Sequence, residues 1–571
     1  MLTKSVPGKA LFRLGGWFSP SQALTPLPAV LGAGLLAVLF VAPVLLAALI
    51  LQEARTALWI VLILDLVVLF LFALATLRQP VLFVGVLVLW FALQRLVVAL
   101  IAPHVSAETV RLLLTYKEGF YLILLATGVG ALVIRYRRRE AAFTPVLAAD
   151  LLAIAFVLLL AVEFLASSEE LSPKLTYGRR FAAPLLLYLG GRLLLTDRHH
   201  ILSGLRLVIM VGLAVALFGL IERFVLSASF WSDRVDAMAF YSKQAEGGLL
   251  PASWVRLFEG LPEGVFSAFP LDVPVRRLVS TFLEPTTLGS YLAFVLVILL
   301  FVPGLTNGRS RIARSLGGLV LAAAVAATVS RGGMEIALIA GAFILVFTGL
   351  RLLRRFRWAE AVVIVLVAVL LLSTLTVTSL SFSQFPNRRA EVQDVLSSEY
   401  VSGFPPRDVP LTPPQGERLD PGAQAHINGL YTGLEKMWEE PLGTGLGTAG
   451  GWSQAPEVGG ESTVGTVAAQ LGAPGLALWL AFHLALVASL AHAALRLRRV
   501  RQTMWSDLLM ALAGALLGLS VIAWFSESAS GLLGNALYFL FAGWAISVVA
   551  PTASRLQFRW LPIIRRVGEG S

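Results

Sequence analysis

Along most of the chain, apolar residues run in long uninterrupted stretches instead of alternating with polar ones. Many stretches approach or exceed the roughly 20 residues that an α-helix needs to cross about 30 Å of hydrocarbon. They predict about 14 membrane-spanning helices, near 24–51, 57–76, 81–103, 115–134, 144–165, 180–196, 205–225, 285–303, 313–330, 332–350, 359–379, 463–491, 505–525 and 531–549. The first run is too long for the core of a cleaved signal peptide and reads as a retained span. Two connections are long, 226–284 and 381–462. The expected fold is all-α and polytopic, divided into N-terminal spans (1–204), middle spans with the first long loop (205–380), a second long loop (381–462), and C-terminal spans with a basic tail (463–571).

Inside the second loop the periodicity changes. Ile427, Leu430, Tyr431, Leu434, Met437 and Trp438 recur at helical spacing and predict one apolar face. Glu435, Lys436, Glu439 and Glu440 fall largely off it. Pro441 stops the helix, and Gly443, Gly445 and Gly447 make a turn. Alone, this is the pattern of an interfacial helix. The glycines are not a nucleotide fingerprint, because no strand or βαβ unit surrounds them. The first loop mixes aromatic and charged residues: Phe230, Trp231, Asp233, Arg234, Tyr241, Lys243, Trp254 and Arg256. That mixture suits a lid on the bilayer surface.

Composition agrees with a membrane protein: 57% of the 571 residues are hydrophobic and mean hydropathy is +0.81. The absence of cysteine excludes disulfides, thiolate chemistry and cysteine-ligated metals. A net charge of +11 could suggest nucleic acid in a soluble chain. Here the basic residues cluster in short loops, where they set topology. Arg135–Arg139, Arg351–Arg355 and Arg496–Arg499 fall on one side of the predicted spans. Taking that side as cytoplasmic puts both termini inside and both long loops outside. ATP and nucleotide-sugars are not available there, so a donor used by an outer site must arrive activated and membrane-borne. No internal repeat is evident, which weakens a transporter reading.

The polar residues left at the outer boundaries are the candidates for chemistry. Arg276 and Arg277 precede a span; they are either interfacial anchors or anion ligands, since a guanidinium fork matches phosphate oxygens. Arg331, in Ser330-Arg331-Gly332-Gly333, has almost no loop around it, and Glu335 on the next turn could pair with it. Glu461 opens a span, either as a charge favoured by the helix dipole or as a general base. Asp65, Arg95, Asp150, Glu163, Arg192, Glu222 and Arg223 interrupt apolar runs and are functional candidates or inter-span pairs. Asp233 and Asp236 make a weak metal pair with Arg234 between them, so no metal is expected.

Together, and in this order, these elements resemble the O-antigen ligase and O-antigen polymerase family of bacterial envelope glycosyltransferases. The resemblance rests on Arg277 with Ser280-Thr281-Phe282 and Glu284-Pro285, then Leu288-Gly289-Ser290-Tyr291-Leu292. It continues in Ser330-Arg331-Gly332, in the helix ending Pro441 to Gly447, and in Glu461 to Gly475. Tyr177-Gly178-Arg179-Arg180 through Leu186 resembles a weaker earlier motif. The likeness spans roughly residues 175–525. Two departures stand out: His426 takes a position where many ligases carry arginine, and Glu461-Ser462 stands where many carry His-Asn. Both departures fit a polymerase-like or otherwise divergent member better than a lipid A-core ligase.

The resemblance implies a GT-C-like helical fold in the bacterial inner membrane with an outward-facing site. It implies transfer of glycan from an undecaprenyl-pyrophosphate donor to a sugar hydroxyl, inverting and without metal or cofactor. Glu461 would be the base; Arg277 and Arg331 would stabilise the leaving pyrophosphate. Arg276, His426, Lys436 and Glu284 complete the set as substrate-binding groups. Implied partners are the lipid-linked glycan, a sugar acceptor, membrane lipid and a chain-length regulator, with no nucleic acid. A ligase acting on a lipid or protein acceptor, a lipid-linked oligosaccharide flippase and a membrane scaffold are the rival readings.

Overall fold

A computed structural model describes residues 80–115, 147–193, 198–227, 230–246, 267–268, 275–305, 311–348, 358–381, 421–450, 458–460, 462–526 and 533–554, with parts of 120–133. These residues are overwhelmingly helical. The helices are α1 Pro80–Ile101, α2 Ala107–Thr115, α3 Ala148–Ala166, α4 Leu171–Leu193, α5 Arg198–Phe224, α6 Phe230–Val235, α7 Ala237–Glu246, α8 Pro285–Phe301, α9 Arg311–Ala327, α10 Arg331–Thr348, α11 Trp358–Ser381, α12 Pro421–Glu439, α13 Thr463–Arg499, α14 Thr503–Ile522 and α15 Leu533–Ser554. The short strands β1 Ser267–Ala268 and β2 Val275–Arg276 pair antiparallel, with Ser267 opposite Arg276.

Among the described residues, five helical segments are long and apolar enough to cross a membrane: Val84–His104, Ala148–Ala166, His200–Phe224, Thr463–Arg499 and Thr503–Ile522. Shorter apolar helices cover Pro285–Phe301, Ala361–Thr376 and Asn535–Val549. The predicted spans at 24–51 and 57–76 lie outside the described residues. From residue 144 onward each predicted span coincides with a helix, although α4 begins earlier than expected, at Leu171. The packing is that of a membrane protein. On α3, Leu151, Leu158, Val162 and Leu165 form one stripe that is 60–84% exposed. A surface that apolar is stable against lipid and not against water.

One pair of charges inside the apolar runs meets across helices. Arg192 of α4 donates from Nε and Nη2 to the two oxygens of Asp150 at the start of α3, 2.8 Å each. The Tyr188 hydroxyl donates to the same carboxylate at 2.7 Å. Arg192 also donates to Ser547 Oγ of α15 at 3.2 Å, and Ser547 donates back to the Arg192 carbonyl at 2.8 Å. A buried charge pair is tolerable when its remaining hydrogen-bonding groups are satisfied, and this one ties three helices together.

The glycine turn after α12 repairs a break in α13. Gly472 has φ 62° and ψ −162°, a conformation essentially restricted to glycine. Pro474 has no N–H, so the Gln470 carbonyl lacks its helical donor. Gly445 N–H supplies that donor at 3.0 Å. Thr444 N–H bonds the Ala469 carbonyl at 2.9 Å, and Ala473 N–H turns to the Pro441 carbonyl at 2.8 Å. The Gln470 side chain then holds the turn, accepting from Gly447 N–H at 3.1 Å. Backbone meets backbone so closely that a Cβ on Gly472 would lie 2.3 Å from the Pro441 oxygen. Gly472→Ala is therefore expected to cost at least about 1–3 kcal/mol. A lowered thermal unfolding midpoint in detergent would register it; an unchanged midpoint would show that the contact carries no such constraint.

Candidate functional site

The residues from Arg277 to Glu284 form a turn fastened from several sides. Leu278 N–H bonds the Ala327 carbonyl at 3.0 Å. The Arg277 guanidinium donates from Nε to the Thr328 carbonyl at 2.9 Å and from Nη2 to the Val329 carbonyl at 3.5 Å. Glu222, fully buried in α5, accepts the N–H groups of Val279 and Ser280 on one oxygen, at 3.3 and 3.4 Å. Ser280 Oγ donates to the Val215 carbonyl at 2.8 Å, and the Tyr241 hydroxyl of α7 donates to the Leu283 carbonyl. At the far end Glu284 forms an ion pair with Arg95 of α1 and accepts from Thr286 Oγ1 at 2.7 Å.

These contacts hold an unfavourable backbone. Among the described non-glycine residues five have positive φ, and three of them frame this turn: Ser280 (50°), Leu283 (49°) and Val329 (52°). A β-branched residue such as Val329 pays a steric penalty there, and such strain persists only where surrounding contacts over-determine it.

The crossing of α8 and α10 brings in the second arginine. Gly333 packs so tightly that a Cβ there would lie 2.6 Å from the Gly289 carbonyl carbon. Ser330 Oγ accepts from Gly333 N–H at 3.3 Å at the start of α10, and Arg331 is the first helical residue. The positive end of the helix dipole therefore adds to its charge. Arg331 and Arg277 lie within each other's field. Burial lowers the Arg277 pKa to about 10, with Glu284 opposing the shift and Arg331 adding to it. Arg277 stays charged at neutral pH. Glu284 stays ionised although burial works against it, because Arg95 and the Thr287 and Thr286 hydroxyls pull its pKa down. The Glu284 carboxylate is engaged by Arg95, and Glu335, on the turn after Arg331, lies within the Arg331 field. The buried Thr281 hydroxyl has no hydrogen-bond partner. Such a cluster can hold an anion with several oxygens.

Glu461 lies outside the described residues. The residue after it, Ser462, caps α13 by accepting from Gly465 N–H at 3.0 Å, and it donates to the Trp524 carbonyl at 2.7 Å. Val464 N–H bonds the Ala523 carbonyl at 3.1 Å. A Cβ on Gly332 would lie 3.3 Å from Ile522 of α14. The start of α13 and the start of α10 thus meet the same end of α14.

The other sequence candidates are distributed differently. Arg276 ends β2, and its side chain lies outside the described residues, as does that of Asp233. Asp236 accepts from Ala239 N–H at 3.1 Å and starts α7. His426 is half-buried in α12. The Lys436 ammonium is held by Glu440 at 2.9 Å and Glu439 at 3.1 Å, which raise its pKa. Among the described residues no three His, Asp or Glu side chains gather as a metal site would need.

The apolar face predicted for α12 is divided between protein and surroundings: Ile427, Leu430, Leu434 and Met437 are half-buried. Gly429 and Gly433 are buried, and a Cβ on Gly433 would lie 2.2 Å from the Gly465 carbonyl oxygen. Tyr431 and Trp438 point away, 68% and 79% exposed. Close backbone approach between glycines sets this contact, with Leu430 packed beside it.

Sequence reasoning left Glu222, Arg95 and Tyr241 without a role. The first two signalled themselves as charges near or within apolar runs, but their partners lie far away in the chain. No protein-family model matches this chain, and no curated protein does.

Proposed function

We propose that this protein is a polytopic glycosyltransferase of the O-antigen polymerase type. In this reading it has about 14 spans in a GT-C-like arrangement in the bacterial inner membrane. Both termini are cytoplasmic and the site faces outward. The observation that supports the reading is that Arg277 bonds the Thr328 and Val329 carbonyls, directly before Arg331, so that two arginines from separate sequence motifs share one region and one charge field. The start of α13, just after Glu461, meets the same end of α14 as α10.

The chemistry follows from those charges. The donor is a glycan on undecaprenyl pyrophosphate. An acceptor hydroxyl oxygen attacks the anomeric carbon while the bond from that carbon to the pyrophosphate oxygen breaks. Glu461 takes the hydroxyl proton, and polyprenyl pyrophosphate leaves with its charge stabilised by Arg277 and Arg331. Fixed cations placed where charge develops are often the largest catalytic contribution. A single displacement inverts the anomeric centre.

The test is incubation of purified protein in nanodiscs with the lipid-linked oligosaccharide of its own host and EDTA, followed by gel analysis. A ladder of lengthened glycans is expected, with Glu461→Gln slower by about 10² to 10⁴. A ladder undiminished by that change would remove Glu461 as the base. No ladder from the unaltered protein would overturn the polymerase reading; ligation to a supplied lipid or protein acceptor would then be the next assay.

A further inference from the structure

The edge of α12 that carries Tyr431 and Trp438 meets the exposed apolar side of α13. The joint is the break at Gly472. There Ala473 N–H bonds the Pro441 carbonyl at 2.8 Å, and a Cβ on Gly472 would lie 2.5 Å from the Leu442 carbonyl carbon. Leu442 is 77% exposed. Beyond the break, Ala473, Pro474, Ala477, Leu484 and Ala488 form the exposed stripe of a helix apolar enough to span. Leu442, Trp438 and Tyr431 extend that stripe along α12 as exposed large side chains. Its polar border is Asn428, Glu435, Glu439 and Glu440, all exposed.

We infer that α12 is an interfacial helix whose Tyr431–Trp438–Leu442 edge sits in the outer leaflet of the membrane at headgroup depth. Tyr and Trp present an apolar ring with a polar tip and are enriched at that depth. The neighbouring carboxylates face water. Seven residues of helix separate Tyr431 from Trp438, about 10 Å, so the two rings anchor the helix at two points. The opposite face is fixed to α13 through Gly433 and Gly465, so α12 is held between protein and lipid and does not swing as a free lid. Other occupants of the same edge would be a second copy of the chain or a glycan laid along the rings. The continuity with the spanning stripe and the exposed Leu442 favour lipid. This inference takes the outward orientation of α12 from the proposed topology and is independent of the proposed reaction.

The chain has no cysteine, so a single introduced thiol can be spin-labelled without background. Trp438→Cys, Leu442→Cys and Glu435→Cys would be labelled in the full-length protein in nanodiscs. Leu484→Cys serves as the lipid-exposed reference. Collision with oxygen, which partitions into lipid, and with a water-soluble nickel chelate would be compared. Labels at 438 and 442 are expected to favour oxygen several-fold over the label at 435. Equal water accessibility at all three positions would overturn the inference, as would protection of 438 and 442 from both agents, which would indicate cover by protein. Because the replaced side chains are largely exposed, each variant keeps the glycine contacts that hold α12. The relief of water accessibility by added oligosaccharide, in place of lipid, would assign the edge to a glycan and also refute it.

Discussion

Arg331→Ala is expected to slow glycan transfer by about 10² to 10³. Arg277→Ala should lose a similar factor in rate and some stability as well. Its guanidinium also bonds the Thr328 and Val329 carbonyls, and Val329 needs external contacts to hold its positive φ. Lysine at either position should restore part of the rate. It keeps the charge but presents a point donor in place of a planar fork. If both residues hold one pyrophosphate, the double variant should lose less than the product of the two single factors, because groups acting as a unit are non-additive. The measurement is initial rate at saturating lipid-linked donor. A double variant that transfers normally would eliminate the arginine pair as the leaving-group site.

Asp150→Ala should be the most destabilising of the substitutions considered, by about 3–5 kcal/mol, because it strands a buried guanidinium. Arg192 would lose both carboxylate bonds, and the Tyr188 hydroxyl would lose its acceptor. The paired replacement Asp150→Leu with Arg192→Met should recover most of that loss, since a well-packed apolar pair avoids charge burial altogether. Thermal unfolding in detergent of the two single variants and the double variant completes the comparison. A single variant as stable as the parent would show that the pair contributes little. A double variant no better than the singles would assign the loss to packing instead of to the stranded charge.

The helices were legible because membrane spanning requires local composition: an apolar run of sufficient length must satisfy its own backbone bonds, and only a helix does so within one segment. Thus α3, α5, α13 and α14 stand where the apolar runs predict them. The arginines were legible as charges at boundaries where charge is costly. Their partners were not. The pairing of Arg95 with Glu284, of Arg192 with Asp150, and of Glu222 with two backbone N–H groups joins residues far apart in sequence. Nothing in the sequence orders those alternatives. The edge by which α12 packs was not legible for a related reason. Periodicity weighs side-chain hydrophobicity, whereas Gly433 packs on Gly465 by having no side chain, leaving Tyr431 and Trp438 outside. The sequence by itself determined a helical membrane protein and the motifs that carry its charges. Tertiary structure alone decided which charges meet, because that depends on helix crossings set by close backbone contacts, which hydropathy does not record.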